Sequence, residues 1–176
     1  MKFTTLVSFM TILGLVLLSG CAVSTVHGGQ TLKGSARWVQ LPIANYAGAP
    51  HAGDRAAAIL DTLLHHHGVQ QIERAPAKDQ NGGLPQFNPR KTFRKALKWA
   101  QQKGYKYGVT GSVEEWQYKT GLDGEPAVGI SLRVVDINSG STLWSASGSR
   151  AGWGYSTVSG TAHKLMSRLI NSMPVH

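Results

Sequence analysis

A single cysteine punctuates the chain, and its position decides how much of the rest must fold and by what forces. Cys21 closes the run Leu18-Ser19-Gly20-Cys21, behind Lys2 and the apolar stretch Leu6 to Leu18. A positive first segment, a short apolar one and small residues before a thiol form the pattern of a bacterial lipoprotein signal. The apolar stretch is too short for a membrane-spanning helix, which needs about 20 residues. The pattern predicts removal of residues 1–20 as a signal peptide, leaving Cys21 to carry covalent diacylglycerol and an N-acyl lipid. Ala22 stands where an aspartate commonly retains a lipoprotein in the inner membrane, so the expected address is the periplasmic face of the outer membrane.

What remains must be held by packing alone. Without residues 1–20 the chain is 156 residues long, enough for one domain with a core, and with one cysteine it can form no internal disulfide. Losing Lys2 leaves 17 Lys and Arg against 9 Asp and Glu, a formal net charge of +8. In an exported protein the acidic partners for that excess are phospholipid head groups and lipopolysaccharide; nucleic acid is not expected.

Hydrophobic periodicity divides the remainder. Residues 22–35 mix Ser, Gly, Thr and Val with no helical or strand period, so residues 21–35 are expected to be the lipidated cysteine and a short tether, and 36–176 a single domain. Arg37 to Ile43 reads as a strand. Ile59, Leu60, Leu63 and Leu64 mark a helix over about Gly53 to His67, with Gly68 as its left-handed cap. Val69 to Arg74 is a short strand, Ala75 to Phe87 a loop, and Asn88-Pro89 a helix start with Asn88 as cap.

The second half is mostly sheet: Tyr107 to Tyr118, Ala127 to Asp136 and Thr142 to Arg150, followed by a helix from Ser156 to Met173. Val128, Ile130, Leu132 and Val134 alternate with Gly129, Ser131 and Arg133, so one face of that strand is buried. The order β-α-β-α-β-β-β-α predicts an α+β domain, a mixed, mainly antiparallel sheet with helices on one side.

Four groups of residues invite functional readings. Arg90, Lys91, Arg94, Lys95 and Lys98 share one helix without an acidic residue, and like charges four apart cost roughly 0.2 to 0.5 kcal/mol per pair. A lipid surface, a neighbouring subunit or solvent could face them. Trp153, between Gly152 and Gly154, and Tyr155 suit a bilayer interface, where an apolar ring and a polar edge are both satisfied; subunit packing is the other reading. Asp123 and Glu125 lie in a Gly- and Pro-bounded loop that could present carboxylates to a cationic polymer or could simply turn the chain. Glu114 and Glu115, adjacent on a strand, are expected on opposite faces unless a bulge intervenes, which denies them a glycosidase arrangement. His65, His66 and His67 point about 100° apart on a helix and cannot converge on one metal ion. No nucleophile elbow, phosphate loop or dinucleotide fingerprint is present, and no enzyme activity or metal is expected.

The paired-strand stretch Ile130-Ser131-Leu132-Arg133-Val134-Val135-Asp136-Ile137-Asn138-Ser139-Gly140-Ser141-Thr142-Leu143-Trp144 resembles periplasmic lipoproteins with the fold shared by CsgG, LpoB and the N-terminal domain of TolB. Gly111-Ser112-Val113-Glu114-Glu115-Trp116, the loop from Gly121 to Gly129, and Trp144-Ser145-Ala146-Ser147-Gly148 resemble the PelC family within that group. The resemblance implies a non-enzymatic outer-membrane lipoprotein that forms a dodecamer-class ring under a PelB-like porin. It would guide Pel, a cationic exopolysaccharide of biofilms, through an acidic funnel. A net positive chain departs from a simple acidic funnel, so its carboxylates would have to be segregated. The competing expectation is an LpoB-like monomer that activates a cell-envelope enzyme by contact, which would need a long tether.

Overall fold

The computed structural model describes residues 22–76, 88–120, 124–153 and 155–176. Its elements are β1 (Ala22–His27), β2 (Arg37–Asn45), α1 (Ala52–His66), β3 (Gln71–Arg74), α2 (Pro89–Gln102), β4 (Tyr107–Tyr118), β5 (Pro126–Asp136), β6 (Thr142–Ala151) and α3 (Val158–Ile170). Six strands form one sheet in the order β1-β6-β5-β4-β2-β3, with β2 parallel to β3 and β4 and the other pairs antiparallel. This is the expected single α+β domain, with one strand more than the periodicity predicts.

The extra strand is β1. Residues 22–35, expected as a tether, are docked at both ends: Ala22–His27 pair with β6 from Ala22↔Arg150 to His27↔Ser145. Leu32, fully buried, then bridges to Val175, with its N–H donating to the Pro174 carbonyl at 2.8 Å. Pattern reading misses β1 because an edge strand held by backbone hydrogen bonds need not bury alternate side chains, and Val23 and Val26 remain exposed.

Helices lie on both faces of the sheet, which corrects the one-sided expectation. On one face α1 and α3 bury Leu60, Leu64, Leu165 and Leu169 against Trp38, Val109, Val128, Ile130, Leu132 and Trp144. On the other, α2 sets Ala96 and Ala100 against Val39, Leu41, Val135 and Ile137. The signal was the nearly unbroken apolar run Trp38-Val39-Gln40-Leu41 in β2, which fits a strand covered on both sides better than a half-wet one. The polar member, Gln40, is buried and donates from Nε2 to the Ala57 carbonyl at 2.7 Å.

Local chemistry sets the helix ends. Asn88 Oδ1 accepts from the Lys91 N–H at 3.2 Å, with Pro89 in the first turn, as expected. Thr157 Oγ1 caps α3 through the Gly160 N–H at 3.0 Å. Beyond α1, Gly68 takes φ +98°, a backbone angle that favours glycine.

Candidate functional site

Strand register assembles one end of the sheet. Arg150 on β6 stands opposite both Val128 on β5 and Ala22 on β1, while Tyr118 at the end of β4 stands opposite Pro126. The chain leaves β6 through Gly152, whose N–H donates to the Pro126 carbonyl at 2.7 Å. A Cβ on Gly152 would press on Pro126, Thr161 and Ser156, so the exit is tight. Trp153 follows at 79% exposure and Tyr155 is fully exposed, with Tyr118 half-exposed at the same end. Cys21 lies outside the described residues, but it is bonded to Ala22, and Ala22 belongs to this end.

The loop that joins β4 to β5 is there too. Asp123 lies outside the described residues; Glu125 is half-buried, and its carbonyl accepts from the Lys119 N–H at 2.7 Å. The register therefore brings the aromatic pair Trp153 and Tyr155, the Glu125 carboxylate and the expected lipid attachment point to one end.

The basic helix is elsewhere. The C-terminus of α2 is pinned at the opposite end, where Arg37 donates to the Lys103 carbonyl and Gln101 to the Ile137 carbonyl. Its N-terminus reaches only the middle of the sheet, beside Pro42 to Tyr46. Arg90, Lys91, Arg94, Lys95 and Lys98 are all exposed on its flank. Among the described residues, Arg90, Lys91, Arg94 and Lys98 meet no carboxylate. The basic stripe and the aromatic end thus face different directions.

Glu114 and Glu115 depart from expectation. A bulge between Val113 and Glu115 interrupts the β4–β5 register, and both Glu Cβ atoms lie close to Gly129. Both carboxylates therefore stand on the same face, the one carrying α2. Glu114 accepts from the Ser112 hydroxyl at 2.5 Å and Glu115 from Gln117 Nε2 at 3.1 Å.

That face is largely bare over β1, β6, β5 and the adjoining part of β4. A groove of about 1070 Å³ runs there, lined by Thr25, Ser131, Ser145 and Ser147 with Arg133 and His27, and flanked by the first turns of α2. The Arg133 guanidinium sits 5.0 Å from the Phe93 ring centroid. Alternation of Ser145, Ser147 and Ser149 with Trp144, Ala146 and Gly148 was the available sequence signal for this polar face.

The histidines are separately engaged: His65 Nδ1 bonds the Val69 carbonyl at 3.0 Å and His67 Nε2 the Met173 carbonyl at 2.8 Å. The displaced titrations lie at the end away from Trp153. Hydrogen bonding from Lys106, and then from the Ser139 N–H, holds Asp136 down to about 2. Asp136 in turn raises Lys106, and burial raises Tyr105. These groups tie the β5–β6 turn to the start of β4. No described helix is long and apolar enough to cross a membrane.

A mixed sheet with α1 and α3 behind it and one helix in front is an α+β domain of the kind found in the solved structures it resembles. The PelC dodecamer from Paraburkholderia phytofirmans is 32% identical with TM-score 0.75, over 89% of this chain and 99% of that one, and a single-substitution variant of it matches equally over 89% and 100%. Lipoprotein GNA1162 from Neisseria meningitidis shares the fold at 22% identity and TM-score 0.59, over 77% of this chain and 96% of that one. A scan against protein-family models gave no match, and neither did a search of curated proteins. The chain belongs to the PelC family.

Proposed function

We propose that this chain is a non-enzymatic lipoprotein, acylated on Cys21 and held at the periplasmic face of the outer membrane. There it assembles into a dodecamer-class ring that guides cationic Pel exopolysaccharide to a PelB-like porin during biofilm formation. Identity of 32% over nearly the whole of a PelC that forms a dodecamer carries the reading. The registered end supports it, because a lipid on Cys21 would draw Trp153 and Tyr155 to the bilayer and bring Glu125 close to the membrane-side opening. Asp123 would add a second carboxylate to that rim.

The contact-activator reading loses its main requirement. With Ala22–His27 paired to β6, almost no free chain separates the anchor from the domain, so the domain stays at the membrane it is anchored to.

The test is complementation of a Pel-producing strain that lacks its own PelC, together with the mass of the purified chain by light scattering. Restored Pel secretion and a closed high-order ring are expected, with secretion lost in Cys21→Ala. A strict monomer at high concentration, with or without membrane, that restores no secretion would overturn the proposal.

A further inference from the structure

The bare face of the sheet and the outer side of α3 lie on opposite faces of the same strands. α3 packs its apolar side on β5 and β6 and turns His163, Lys164 and Arg168 outward. Among the described residues neither Lys164 nor Arg168 meets a carboxylate. On the other face of the sheet, the bulge in β4 stands Glu114 and Glu115 together beside Gly129, and neither meets a cation among the described residues. Among the described residues, one molecule therefore carries a basic patch without ion pairs on one side and an acidic pair without ion pairs on the other, where Arg90, Arg94 and Arg133 lie towards α2 and away from Glu114 and Glu115 along the groove.

We propose that the outer side of α3 in one copy docks on the bare β1-β6-β5-β4 face of the next copy, with Lys164 and Arg168 meeting Glu114 and Glu115. This inference rests on the ring reading above and assigns its subunit contact. Four strands spaced about 4.8 Å apart leave room for one helix about 10 Å across beside α2. The small side chains of Ser131, Ser145, Ser147 and Thr25 allow it to approach the sheet closely. Docked this way, the neighbour's helix covers the half of the sheet that α2 leaves open.

Geometry favours this pair of surfaces over α2 as the second partner. Two different patches give a head-to-tail contact, which builds rings or filaments and not two-fold dimers. A ring of many subunits needs only a small rotation between neighbours, so its two contact patches must lie on nearly opposite sides of the subunit. α3 and the bare face satisfy that condition, whereas α2 is on the same side as the bare face.

The test is charge reversal in the purified whole chain, read as mass by light scattering. Lys164→Glu with Arg168→Glu, and separately Glu114→Lys with Glu115→Lys, should each reduce the ring to one or a few protomers. All four substitutions together should restore it. Ser147→Trp, a steric block on an exposed position, should also prevent assembly, and unchanged thermal melting of each variant shows that folding is intact. A ring whose mass survives both reversals and Ser147→Trp overturns this contact and leaves the ring reading standing, with the bare face free for polymer or porin. A wild-type chain that never assembles overturns both.

Discussion

Ala22 stands directly across the sheet from Arg150, three residues before Trp153. Because Ala22 is bonded to Cys21, the proposed attachment point for lipid follows directly from the end of the domain that carries Trp153 and Tyr155. A lipid at that position, as proposed, would fix which end of the sheet meets the bilayer, and Trp153 and Tyr155 are the exposed rings it would bring there.

Trp153→Ala is accordingly expected to weaken membrane binding and leave folding untouched. Burying an indole already 79% exposed at the interface contributes about 2 kcal/mol, more than tenfold in partitioning. Vesicle flotation of the chain from Ala22 onward, where no acyl group masks the effect, measures this. Equal flotation, or a lower melting temperature, would refute the membrane role.

Gly111 faces the α1 and α3 side of β4, where an added Cβ would run into the Ser131 carbonyl oxygen and crowd the Leu132 side chain. The obstacle is backbone of the neighbouring strand, so it cannot swing aside. Gly111→Ala should destabilise the domain by about 1 to 3 kcal/mol through forced separation of β4 and β5. Urea unfolding checks this, and a neutral substitution would mean that the two strands are not packed as closely as described.

Asp136 contributes stability with a definite pH dependence. Its carboxyl, held down to about 2 by Lys106 at 2.9 Å and by the Ser139 N–H, is ionised more readily in the folded chain than in the unfolded one. The contribution is therefore complete above about pH 4 and is lost as pH falls towards 2. The shift corresponds to at most about 2 kcal/mol, and solvent around the Lys106 ammonium reduces the expected effect to roughly 1 kcal/mol. Asp136→Asn should cost that amount at pH 7 and almost nothing at pH 2. An equal loss at both pH values would assign the effect to the turn geometry alone.

The central strands were legible because their faces differ. Val128, Ile130, Leu132 and Val134 announce a buried face, and the observed β5 agrees within one residue. Helix α2 was legible from its Asn88-Pro89 start. The two-sided covering of β2 is present in its apolar run Trp38-Val39-Gln40-Leu41, but so short a run does not say which element covers each side. The bulge that unites Glu114 and Glu115 left no local mark, since it depends on how β4 registers with β5 and not on β4 alone. β1 could not be read, because main-chain pairing carries no side-chain pattern. The aromatic end is legible only through that pairing: composition picks out Trp153 and Cys21 separately, and register puts them together.

Leu32 tests whether the stretch after β1 is a tether or part of the domain. It is a lone apolar residue among Thr, Gly and Lys, yet it is fully buried and its backbone is clipped to both Pro174 and His176. Its side chain joins the core that α1 and α3 close, so truncation leaves a cavity inside the domain. Leu32→Ala is expected to cost about 2 to 4 kcal/mol. A tether residue would cost nothing. Thermal and urea unfolding of the substituted chain separate the two cases. The same variant should also loosen the C-terminal residues Val175 and His176, seen as faster amide exchange there than at Val109 in the sheet centre. Unchanged stability together with unchanged exchange would return residues 28–36 to the status of a linker between β1 and β2.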